Sequence, residues 1–145
     1  MISAVRRVSF CAGHRIAGHE SKCRNLHGHQ YEIEIFATAK DLDSLGRVID
    51  FAVLKRIGNW IDQAWDHGFI LWHEDSEAWK AMAEIKEQKT FVFPSNPTAE
   101  NIAKYILEEI APSVLSGFPV EVWKVVCYET PNCRAEVSIA ELSDK

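Results

Sequence analysis

Cys23-Arg24-Asn25-Leu26-His27-Gly28-His29 leads into a run, Gln30 to Ala39, in which polar and apolar side chains alternate. Alternation with a period of two marks a half-buried strand. A strand beginning at His27 puts His27, His29, Tyr31, Ile33, Ile35 and Ala37 on one face, with Gln30, Glu32, Glu34 and Thr38 on the other. Both imidazoles then share a face, and Gly28 between them leaves room for close approach, so the pair suits a zinc ion. His14 offers a third nitrogen, because Phe10-Cys11-Ala12-Gly13-His14 closes an earlier strand-like run able to pair with this one. Three histidines with no obvious fourth ligand leave an open coordination position, the pattern of catalytic rather than structural zinc.

Outward from that stretch, the spacing predicts a first strand from about Ser3 to Gly13 and a second from His27 to Ala39. The connection from Arg15 to Leu26 is longer than a hairpin loop of about 2 to 5 residues, which marks it as functional. It carries His19, read as a surface residue, and Cys23. Asp50 is placed to cap a helix whose Leu54, Ile57, Ile61 and Ala64 form one buried face, ending near Trp65 just before Asp66-His67-Gly68. From Trp72 to Lys89 the chain makes a mixed-charge excursion, with Ser76 placed to cap a short helix, His73 on the surface and Phe91-Val92-Phe93 as a short extended piece. Thr98 caps a further helix with Ile102, Ile106 and Ile110 along one side, and Pro112 is expected to end it. Val120 to Glu129 and Arg134 to Ile139 alternate as strands around Thr130-Pro131-Asn132-Cys133. The order β-β-α-(α)-α-β-β predicts an α+β fold, a four-stranded antiparallel sheet with its helices on one face.

Composition limits the function classes. The 145 residues predict one domain, 1–145, able to bury a core without disulfides or a structural metal. A net charge of -5 with no basic stripe argues against nucleic acid as a partner. Nothing resembles a membrane span or signal peptide, and the four cysteines lack zinc-ribbon spacing, so free thiols and a cytoplasmic location are expected. Cys11 and Cys127 are expected as small buried hydrophobes, Asp50 and Glu100 as acids stabilising helix starts.

Taken together, Phe10-x-Ala12-x-His14, Cys23-x-x-x-His27-Gly28-His29, Ile49-Asp50-Phe51 with Leu54-Lys55, Asp66-His67, Pro97-Thr98-x-Glu100-Asn101 and Glu129-Thr130 resemble the 6-pyruvoyl-tetrahydropterin synthase family. The three residues between Cys23 and His27 resemble its QueD branch, the 6-carboxy-5,6,7,8-tetrahydropterin synthases, rather than the animal pyruvoyl enzymes, whose gap is longer. The chain departs from the family in following Asp66-His67 with Gly68-Phe69-Ile70-Leu71 in place of a Leu-Asn pair, and in its longer Trp72 to Phe93 segment.

The resemblance implies the tunnelling fold, in which subunits join their sheets into a barrel, commonly as a homohexamer. It implies Zn2+ on His14, His27 and His29, and a pterin triphosphate, 7,8-dihydroneopterin triphosphate, as substrate. It also implies that a lyase activity releases triphosphate and acetaldehyde on the way to queuosine-type 7-deazapurines. The runner-up activity is that of the pyruvoyl synthase, and a non-catalytic pterin-binding protein is the third reading. Cys23 is implied as a proton-transfer group, and Asp66 with His67 as an acid/base pair reaching a site shared with a neighbouring subunit. Glu129 is implied as the carboxylate that accepts paired hydrogen bonds from the pterin. Lys22 and Arg24 are the basic groups nearest the site in sequence.

Overall fold

β1 (Ala4–His14) and β2 (His27–Thr38) pair antiparallel, in register from Ala4 opposite Ala37 to His14 opposite His27. The computed structural model describes residues 1–139. Tyr31, Ile33, Ile35 and Ala37 are completely buried, and the Phe10 ring stacks on Tyr31 with centroids 4.8 Å apart. The face read from alternation is therefore the core face. Phe10, Ala12 and His14 share it from β1, while Cys11, expected inside, points out to the other side and is exposed.

The sheet has six strands, not four. Its order is β4-β3-β1-β2-β5-β6, with β3 at Gly68–Trp72, β4 at Thr90–Phe93, β5 at Glu121–Thr130 and β6 at Cys133–Ser138. The four strands expected are its antiparallel part, while β3 joins β1, and β4 joins β3, in parallel. Phe91-Val92-Phe93 is extended as expected. β3 escaped notice because Gly68-Phe69-Ile70-Leu71-Trp72 does not alternate. A short strand covered on both faces reads as a plain apolar run, and periodicity cannot tell it from the end of a helix.

Helix α1 (Phe51–Ala64) starts at Asp50, whose carboxylate accepts a hydrogen bond from the Ala52 N–H, and it buries Leu54, Ile57, Gly58 and Ile61. Helix α3 (Ala99–Tyr105) starts at Thr98, whose hydroxyl accepts from the Asn101 N–H. These helices cover the core face. Pro112 does not end the second one: a π turn at Ile106–Ile110 leads on into α4 (Ala111–Val114). In that wide turn the Ala111 N–H reaches the Ile106 carbonyl, and a widened backbone relieves the crowding a proline ring brings to the preceding turn.

Helix α2 (Ser76–Ala83) is capped by Asp75 rather than by Ser76. It also breaks the expectation that all helices share a face. Ile70 belongs to the main core, whereas Leu71 packs with Ala78 and Met82 of α2, so α2 covers the opposite side of β3. Two close approaches hold this region together. A Cβ on Gly13 would run into the Phe69 ring, and one on Gly68 would lie 2.9 Å from the Lys89 side chain. No helix among the described residues is long and apolar enough to cross a membrane.

Candidate active site

The last turn of pairing in the β1–β2 hairpin brings His14, His27 and His29 together, with one nitrogen of each within 4.8 Å of the others. His14 is 1% exposed, and its Nδ1–H donates to the Pro97 carbonyl at 2.7 Å. The Nδ1–H of His27 donates to the Asn25 carbonyl, also at 2.7 Å. In neutral imidazoles these bonds leave both Nε2 atoms as bare acceptors, yet the two stand 3.1 Å apart. The His29 Nε2 is buried with no hydrogen-bond partner among the described residues.

Three converging lone pairs repel one another unless a cation lies between them. Ligand nitrogens about 2.0 to 2.1 Å from a tetrahedral zinc are separated by roughly 3.3 Å, close to the 3.1 Å between the His14 and His27 Nε2 atoms. The donor set therefore fits a metal ion. Burial pushes the His14 imidazole down to about 4, opposed by the Pro97 bond and helped by smaller contributions from His27 and His29. Burial also lowers His29, helped by His27 and opposed by Glu129. Both effects keep the rings neutral near pH 7, the protonation state in which imidazole binds metal.

Glu129, at the end of β5, brings its carboxylate to the same place. Its oxygens lie 3.9 Å from His14 Nε2 and 3.8 Å from His29 Nε2, too far for hydrogen bonds, and its side chain is 25% exposed. A half-buried carboxylate with free lone pairs beside a metal position is suited to accept two hydrogen bonds from a ligand. Tyr31 forms the floor, edge-on to His14 and His29, with its hydroxyl buried and unpartnered among the described residues.

Asp66 and His67 are not gathered there. The His67 Nδ1–H donates to Asp66 at 2.7 Å, and the other Asp66 oxygen accepts from the Cys11 N–H at 2.9 Å. Burial favours the protonated Asp66, but the Cys11 and His67 hydrogen bonds, with the charges of His67 and Lys89, hold its carboxyl below the usual range. His67 has the left-handed φ of 61° as the chain leaves α1, and its side chain is 80% exposed. It borders a cavity of about 410 Å³ whose lining includes Cys11, Gln30 and Phe69 and also His27 and His29 of the cluster. The pair thus both ends a helix and presents an oriented imidazole to solvent.

Cys23 lies half-buried in a 3₁₀ turn, Lys22–Arg24, and its carbonyl accepts the Ile16 N–H at 2.8 Å. It is outside the histidine group. One chain therefore unites His14, His27, His29 and Glu129 and leaves Cys23 and Asp66–His67 apart from them. Sequence reasoning passed over Pro97, whose carbonyl orients His14, and Lys89, whose ammonium bonds the Asp66 and Asp62 carbonyls at 2.6 and 3.1 Å behind the Asp66–His67 corner. A proline carbonyl carries no signal by residue type. A lysine among mixed charges looks like any solvated one.

Residues 3–140 match the 6-pyruvoyl tetrahydropterin synthase family. The chain belongs to that family. It is 45% identical over 138 residues to a Rickettsia felis protein named 6-carboxy-5,6,7,8-tetrahydropterin synthase, covering 94% of this chain and all of the relative. A Haemophilus influenzae protein of the same name is 33% identical, with 94% and 98% of the two chains covered. Among solved structures, an uncharacterized protein of Wolinella succinogenes superposes with a TM-score of 0.79 at 28% identity, over 94% of this chain and 97% of the other. The 6-pyruvoyl tetrahydropterin synthase of Caenorhabditis elegans gives 0.68 at 25% identity, over 96% of both chains. The chain thus has the tunnelling fold of that family, on a six-stranded mixed sheet in place of the four-stranded antiparallel one expected.

Proposed function

We propose that this protein is a zinc-dependent lyase that converts 7,8-dihydroneopterin triphosphate to 6-carboxy-5,6,7,8-tetrahydropterin, releasing triphosphate and acetaldehyde. The observation that carries the reading is the convergence of three bare imidazole nitrogens beside a half-free carboxylate. End-to-end similarity to proteins named for that product supports it.

His14, His27 and His29 hold the metal, which when bound supplies a Lewis acid able to acidify the hydroxyls of the substrate's polyol side chain. Glu129 accepts the pterin's amino group and ring N–H and so fixes which carbon of the side chain faces the cluster. Cys23 Sγ and His67 Nε2 move protons at the side-chain carbons and oxygens. Asp66 holds the His67 Nδ1 proton and leaves Nε2 as the working atom.

A site shared between copies of the chain is consistent with the exposure of His67 and its position beside β1, outside its own chain's histidine group. A homohexamer built on joined sheets is supported by open edges. β3 pairs with β1 only at Ala12 and Gly13, and Asp66 and His67 take the backbone groups of Cys11, leaving that side of β1 from Ala4 to Phe10 without a strand partner among the described residues, and Val5 there is 41% exposed. Unpaired edges of this length invite another strand. The four free cysteines suit a reducing, cytoplasmic setting.

Mass-spectrometric product analysis with dihydroneopterin triphosphate and zinc-loaded protein tests the proposal. Carboxytetrahydropterin with matching acetaldehyde is the expected result. Pyruvoyl-tetrahydropterin without acetaldehyde would assign the sister activity, and no consumption of substrate would leave a pterin-binding protein.

A further inference from the structure

Two of the metal-facing imidazoles are oriented in different ways. His27 bonds the carbonyl of Asn25, two residues away, so local chain geometry sets its ring. His14 bonds Pro97, which is brought to it only by the fold. His14 is also the last residue of β1, and the sheet pairing that steadies its backbone ends with it.

The backbone beyond His14 is held from outside the sheet. The Asn96 side chain takes both backbone groups of Ala17: its Oδ1 accepts the Ala17 N–H at 3.0 Å and its Nδ2–H donates to the Ala17 carbonyl at 3.1 Å. Asn96 precedes Pro97, so adjacent residues grip the His14 ring and the backbone just past it. Asn96 is itself tied to the start of α3, its carbonyl accepting from Asn101 Nδ2 at 2.9 Å and from the Thr98 N–H at 2.8 Å. On the other flank, Arg15 Nε donates to Asp75 at 2.7 Å, and Nη2 makes a second bond to the same carboxylate. Asp75 is only 6% exposed and also caps α2. A two-bond guanidinium–carboxylate fork fixes direction as well as distance.

We infer that Asn96 and the Arg15–Asp75 pair are positioning residues for His14: they clamp the backbone leaving β1 so that His14 Nε2 stays aimed at the metal position. The excursion from Trp72 to Phe93, whose role is not legible in the sequence, then serves to brace the metal centre. This inference rests on the metal reading given above. Partners behind a ligating histidine typically change metal affinity about 10- to 100-fold when removed.

The test measures zinc affinity by chelator competition on full-length protein, alongside imidazole ¹H–¹⁵N spectra of the zinc-free form. Asn96→Ala is expected to bind zinc about 10- to 100-fold more weakly. His14 should lose its Nδ1–H preference while His27 keeps its own. Asn96→Asp, which retains the acceptor for the Ala17 N–H, should recover part of the affinity, and Arg15→Lys, which loses the fork, should reproduce part of the loss. Ile57→Val, a cavity in the α1 face, controls for lost stability. Wild-type affinity and spectra in Asn96→Ala would overturn the inference, as would an equal loss in Ile57→Val. If Asn96→Ala does not fold, Arg15→Lys decides the matter by the same two measurements. A wild-type protein that binds no zinc would overturn the metal reading itself, and the zinc-free spectra would still decide whether Asn96 orients His14.

Discussion

The histidine cluster and the Asp66–His67 corner flank the same strand, β1, yet they are built on opposite physical terms. His14 is buried, hydrogen-bonded from behind and pushed to its neutral form, so it is finished as a ligand within one chain. His67 leaves 80% of its side chain in solvent, is steered by Asp66 alone and sits in a left-handed turn. Groups that bind must be preorganised and dry, because a loose ligand loses affinity directly. A group that transfers a proton, the role proposed for His67, needs orientation and access, and His67 has both while standing outside the histidine group. The difference separates a buried, preorganised cluster from a projecting, oriented imidazole, which in the proposed function are the metal-binding half and the proton-transfer half.

The comparison breaks most sharply at the metal. His27→Ala and His29→Ala are each expected to lose zinc and essentially all turnover, because two imidazoles do not make a tight site. Elemental analysis checks this, and full occupancy in both variants would refute the ligand assignment.

The projecting half should behave differently. Cys23→Ala and His67→Ala are expected to keep zinc and fold while losing turnover by about 10²- to 10⁴-fold, the usual contribution of a placed proton-transfer group. Mixed oligomers of the two should recover part of the activity after subunit exchange, because an intact Cys23 from one chain can meet an intact His67 from another. Kinetics on exchanged samples measure it, and no recovery would place both groups in one chain's site.

Recognition comes next in size. Glu129→Gln replaces an acceptor-only group with one that must present a donor, so pterin binding should weaken by about 1.5 to 3 kcal/mol with zinc content unchanged. Titration calorimetry with a non-reactive pterin reads the affinity and elemental analysis the zinc, and unchanged affinity would put the pterin elsewhere.

The smallest effect concerns acid stability. Bonding to Arg15, opposed by burial and aided by the Ala78 N–H and the Arg15 charge, holds the Asp75 carboxyl below its usual range. A folded value below an unfolded value of about 3.9 gives stability that is fully present above that pH and lost as pH falls through the folded value. Denaturation curves should therefore show wild type losing stability below about pH 4 more steeply than Asp75→Asn. Parallel curves would mean that the ion pair contributes nothing.

By itself the sequence determined the β1–β2 hairpin, its buried face, the three histidines that converge at its end and the caps at Asp50 and Thr98. Each of these comes from side chains close along the chain or repeating with a period of two or nearly four. Residue types in that pattern also sufficed for the family. Only the tertiary structure decided that β3 and β4 extend the sheet in parallel, that α2 lies on the other face, and that a π turn lets the helix run past Pro112. It likewise decided that Pro97 and Asn96 stand behind His14 and that Asp66 meets Cys11. Parallel pairing leaves no alternation to read, and a backbone carbonyl is the same for every residue. Partners far apart in sequence acquire meaning only when the fold brings them within hydrogen-bond reach.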